Sequence, residues 1–71
     1  MITKTITLSG AAQDSFEQAV EAVLARAGET INGIERYRVL EMGGTVDDAG
    51  VPAYSVTLEI TFQVKESVSH L

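Results

Sequence analysis

Cysteine and tryptophan are absent, and histidine and proline occur once each. Without cysteine the chain has neither disulfides nor thiolate metal ligands, although that absence leaves its compartment open. His70 stands alone near the C-terminus and cannot build a zinc site by itself. Basic residues are scarce: five Lys and Arg face ten Asp and Glu, for a net charge of −5. Such a balance argues against nucleic acid and against an anionic membrane surface as partners. No apolar run approaches the roughly 20 residues that a membrane span requires. The opening "MITKTITLSG" alternates polar and apolar residues, unlike a signal-peptide core, so the expected setting is cytoplasmic.

The 71 residues allow one domain, taken as 1–71 with a short polar tail over 65–71. A domain this small hides only about 60% of the surface of its unfolded chain, so it is marginal alone. With disulfides and thiolate metals gone, self-association is the remaining common source of stability. A hydrophobic content of 45% suits a folded, associating chain rather than a disordered one.

Three stretches carry strand periodicity. Residues 2–8, "ITKTITL", alternate Ile2, Ile6 and Leu8 with threonines, and Ser9 and Gly10 are expected to end the strand. Residues 34–43, "IERYRVLEMG", form a second. Residues 53–64, "AYSVTLEITFQV", place Tyr54, Val56, Leu58, Ile60, Phe62 and Val64 on one face. Between the first two, Phe16, Ala19, Val20, Val23, Leu24, Ala27 and Ile31 make one apolar stripe of a helix over 13–31. Asp14 and Glu17 have the spacing of a capping box, and Asn32–Gly33 is a stop signal. "GGTVDDAGVP" reads as a hairpin connection. The expected fold is α+β, in the order β-α-β-β. The third strand lies between the others in an antiparallel sheet of order 1-3-2, packed on one long amphipathic helix.

The second strand does not obey a simple inside–outside rule. Strict alternation puts Arg36, Arg38, Leu40 and Met42 on one face and Tyr37 and Val39 on the other. Apolar residues then occupy both faces. Either a bulge twists the strand, or the outer face is buried against another subunit. Tyr37, Tyr54, Phe16 and Phe62 are read as core aromatics.

The full pattern resembles the dodecin family. It is carried by the β-α-β-β order, the Ser9–Gly10 turn, Phe16 in "DSFEQAV", the segment "RVLEMGGTVDDAG" and the closing "YSVTLEITFQV". The resemblance implies a hollow homododecameric shell that is not an enzyme and binds or stores a small ligand. In the best-known members a tryptophan on the second strand stacks on a flavin such as riboflavin, and a glutamine on the third bonds its polar edge. Arg36 and Ser55 occupy the matching positions here. A guanidinium stacks but brings a cation, and serine lacks the amide's paired donor and acceptor. The resemblance therefore implies an altered flavin pocket, with riboflavin or FMN storage as the alternative. A branch without the tryptophan includes mycobacterial members described as calcium-binding, and the segment from Arg38 is closer to it. That makes a calcium- or magnesium-linked shell the further alternative.

Arg36 and Arg38 pair with an acid such as Glu59, or else hold an anion or nucleotide-type ligand. For Asp14, Glu17 and Glu21 the ordinary reading is helix capping, and for Asp47 and Asp48 it is turn formation. Asp14 or Glu41 close to a symmetry axis would nonetheless gather oxygen ligands for a hard cation. No catalytic residues are expected: Ser55, Thr57 and Thr61 have no histidine close in sequence, and Gly43–Gly44 leads into a hairpin rather than a helix.

Overall fold

The computed structural model describes residues 1–64; the expected tail, 65–71, lies outside the described residues. The element order is β1 (Ile2–Ala12), α1 (Phe16–Gly28), β2 (Ile34–Val46) and β3 (Pro52–Val64). The sheet is antiparallel throughout, with β3 central in the order β1-β3-β2. This is the architecture expected from the sequence.

The core forms where the helix stripe meets β3. Ala19, Val23 and Ala27 from α1 and Val56, Leu58 and Ile60 from β3 are buried. Ile6, Leu8, Phe16, Val20, Leu24, Ile31 and Ile34 pack around them. Two alanines among the three buried helix positions let the helix backbone approach the sheet closely. Each fully buried aliphatic side chain contributes roughly 1.5–3 kcal/mol of transfer free energy.

The elements differ from the sequence expectation at their ends. The strands run longer: β1 passes through Ser9 and Gly10 to Ala12, in continuous register with β3. At Gly10 an added Cβ would stand 2.5 Å from Cγ2 of Val23, so the glycine marks a close helix–sheet contact rather than a turn. Ser9 remains in the ladder, its hydroxyl 2.9 Å from that of Thr57. The helix is shorter than 13–31. Ser15, not Asp14, is its N-cap, accepting the Gln18 N–H through Oγ at 3.0 Å. Serine's shorter side chain, at an extended backbone position, reaches that donor directly. After Gly28 the chain leaves the helix, yet the Ile31 N–H still donates to the Ala27 carbonyl, which keeps Ile31 on the core. Gly33 then takes φ +80, the left-handed turn that redirects the chain into β2.

The hairpin is tighter than "GGTVDDAGVP" suggested. Gly43 to Val46 belong to β2, and the turn itself is Asp47 to Val51. Asp47 Oδ1 accepts N–H bonds from Ala49 and Val51, both at 2.9 Å, while Gly50 supplies φ +82. Asp47 thus acts as the expected turn former.

β2 departs most from strict alternation. Its register against β3 shifts twice, between Ile34 and Arg36 and between Val39 and Glu41. The second shift reverses the faces. Met42 pairs with Val56 on the helix side, while Glu41 pairs with Thr57 on the other. The expected grouping of Arg36, Arg38, Leu40 and Met42 on one face is therefore incorrect. The bulge, not a doubly apolar strand, accounts for the broken pattern.

The helix packs on β1 and β3 and leaves β2 largely uncovered. Tyr37, Val39 and Met42 point to the helix side but remain 48%, 37% and 56% exposed. Tyr37 is accordingly not a core aromatic within the chain. Phe16 and Tyr54 do meet, edge to face with ring centroids 5.0 Å apart.

Candidate ligand-binding face

The sheet face away from the helix is polar. β1 contributes Thr3, Thr5, Thr7 and Ser9, and β3 contributes Ser55, Thr57, Glu59, Thr61 and Gln63 as their register partners and neighbours. The two bulges of β2 add Arg36, Arg38 and Glu41. Cross-strand hydroxyl pairs tie the face together, Thr5 with Thr61 at 3.2 Å and Ser9 with Thr57 at 2.9 Å. Thr61 is buried although polar, and its hydroxyl is satisfied by that pairing.

The arginines differ in how they are held. Arg38 Nη2 lies 3.2 Å from Oε1 of Glu59, its direct cross-strand partner. Arg36 stands opposite Thr61 and has only a 3.9 Å approach to Glu35, with its side chain 70% exposed. Both arginines line one depression of about 410 Å3 with Thr5, Tyr37, Glu59 and Thr61. Glu59 is the acid singled out from the sequence as an arginine partner. Thr5 was not singled out, because only the β1–β3 register places it beside the arginines.

The other expected positions lie apart. Ser55 pairs with Gly43, six residues along β3 from Thr61, or roughly 20 Å of strand. It lines a second depression of about 240 Å3 with Glu41, Gly43 and Thr57. One small ring cannot touch Arg36 and Ser55 of the same protomer at once. Glu41 reaches the polar face because of the bulge. Asp14 precedes the helix cap, at the far side of the chain turn from β1. Among the described residues, no group of three or more His, Cys, Asp or Glu is arranged to hold a metal ion.

The family model for dodecins matches residues 2–65. The chain belongs to the dodecin family. The curated dodecin of Thermus thermophilus is 36% identical over 66 residues, covering 93% of this chain and 96% of that one. The calcium dodecin of Mycobacterium tuberculosis is 33% identical over 64 residues, covering 90% of each. The crystal structure of the mycobacterial protein superposes with a TM-score of 0.84 at 31% identity, covering 99% of this chain and all of that one. It is described as calcium-chelating, with a novel calcium-binding site. The dodecin resemblance read from the sequence is thus correct.

Proposed function

We propose that this dodecin is a non-catalytic small-ligand-binding protein that acts as a homododecameric shell, the whole chain serving as one domain. The observation that carries this reading is the polar sheet face, where Arg36 and Arg38 share a depression with threonine hydroxyls. Hydrogen-bond donors concentrate there, as a site that holds a polar ligand requires. The flavin pocket is altered at both family positions, Arg36 and Ser55. Because these lie roughly 20 Å apart along one sheet, a ligand touching both would be shared between protomers. No helix among the described residues is long and apolar enough to cross a membrane. The cytoplasmic setting expected from the sequence is part of this reading, and cell fractionation tests it.

The deciding experiment is native mass spectrometry of protein purified without added ligand. Twelve chains of 7.6 kDa carrying a releasable small molecule are expected. A monomer, or a shell that neither carries nor accepts any small molecule, overturns the reading. One observation favours a second reading: the mycobacterial relative is a calcium dodecin. Glu41 and Asp14 are the carboxylates through which symmetry-related copies would share a cation such as calcium or magnesium. Calcium titration of chelator-stripped protein, followed by calorimetry and gel filtration, tests it; no heat and an unchanged elution volume exclude it.

A further inference from the structure

We infer that the Arg36 depression selects ligands bearing a phosphate group, with Arg36 as the residue that sets this preference. The inference rests on the ligand-binding reading above and names the chemical class that this part of the face takes. Three observations carry it. The first is charge placement. In a chain of net charge −5, two of its five basic residues line one depression, and Glu59 is its one acidic lining residue. The second is the division of labour between the arginines. Glu59 is already engaged by Arg38 at 3.2 Å, so the positive charge left over belongs to Arg36. Its closest acid, Glu35, is 3.9 Å away and does not line the depression.

The third is the geometry of donors. The register shift between Ile34 and Arg36 brings Arg36 opposite Thr61, onto the face that Arg38 shares. The two arginine positions are roughly 7 Å apart along the strand. The Thr5–Thr61 hydroxyl pair lies in the same depression. A planar guanidinium presents two parallel N–H donors to an oxyanion, and such charge-assisted bonds are about twice as strong as neutral ones. The Thr5–Thr61 hydroxyl pair beside it leaves one further O–H free to donate. This donor set suits a three-oxygen, doubly charged phosphate better than a two-oxygen carboxylate. A volume of about 410 Å3 leaves room for more of the ligand than the phosphate alone.

Two probe pairs that differ only by a phosphate test the inference: riboflavin with riboflavin 5′-phosphate, and adenosine with adenosine 5′-monophosphate. Each is titrated calorimetrically into the native assembled protein at low and moderate salt. In at least one pair the phosphorylated member should bind about tenfold tighter or more, and the ratio should fall as salt rises. Arg36→Gln should bring that ratio close to one. Arg36→Lys, which keeps the charge but not the fork, should retain part of it. Because Arg36 is largely exposed, both variants are expected to assemble as the parent does, and native mass spectrometry checks this. Should they fail to assemble, the ratio and its salt dependence in the parent protein still decide. Equal binding within each pair overturns the phosphate preference and leaves the ligand-binding reading standing. A preference that survives Arg36→Gln removes Arg36 from the role. Binding of none of the four probes overturns the preference, while a different ligand released from native protein would still uphold the broader reading.

Discussion

Single residues decide where this small fold is intolerant. Gly10 faces Val23 across the helix–sheet seam, and Val23 is β-branched and buried. Its side chain has little freedom to yield. Gly10→Ala should therefore destabilise by about 1–3 kcal/mol, as overpacking does. Combining it with Val23→Ala should recover part of that loss, and a double-mutant cycle from chemical denaturation measures the coupling. Gly44→Ala should be worse, because its Cβ would overlap the Ala53 backbone carbonyl, which cannot rotate away. The helix cap supplies a contrast. Ser15→Ala should cost about 1 kcal/mol, whereas Asp14→Ala should cost little, since Ser15 holds the cap. Arg38→Ala should cost less than about 1 kcal/mol of stability, because the Arg38 side chain is largely solvent-exposed and its pairing with Glu59 is screened by water.

At the scale of elements, the helix stripe was legible in full. Phe16, Ala19, Val20, Val23, Leu24, Ala27 and Ile31 all lie on or against the core. The 3.6-residue period is a local property, so sequence reveals it. The ends were less legible. β1 survives two weak strand formers because β3 offers a continuous partner over its whole length. Tertiary pairing there overrides local propensity. The β2 bulges were legible only as a disturbance. The apolar pattern showed that something breaks at Leu40, but a bulge and a doubly buried strand leave the same trace. The pairing with β3 resolves it, and with it the company that Arg36 and Arg38 keep. Glu41 joins their face and Met42 leaves it. Deleting Leu40 should remove the bulge and restore simple alternation, leaving Glu41 opposite Thr57 on the polar face and Met42 opposite Val56 on the helix side. Hydrogen exchange should then show retained protection in β2 beyond Val39, and lost protection there would contradict the register.

For the whole molecule, the isolated chain is an incomplete object. Its radius of gyration is 15.6 Å, against about 11 Å for a compact chain of this length. Tyr37, Val39, Met42 and Val46 leave apolar surface open beside the helix. The proposed shell would supply the missing cover, and on that reading unfolding should depend on protein concentration. Val39→Asp together with Met42→Asp should shift native mass toward small species. Arg36→Gln, on the opposite face, should not. Size-exclusion chromatography with light scattering distinguishes the two outcomes.

Composition, the two hydrophobic periods and the turn residues by themselves determined the β-α-β-β order, the strand order 1-3-2 and the core stripe, and the resemblance of the whole pattern implied the dodecin family. All of these depend on near-neighbour spacing or on the whole pattern of the chain. The tertiary structure decided which side each β2 residue faces, that Arg38 rather than Arg36 is paired with Glu59, and that Arg36 and Ser55 belong to separate depressions. A bulge reverses faces without changing composition, and the separation of Arg36 from Ser55 is measured along a partner strand. Neither quantity exists until the strands are paired.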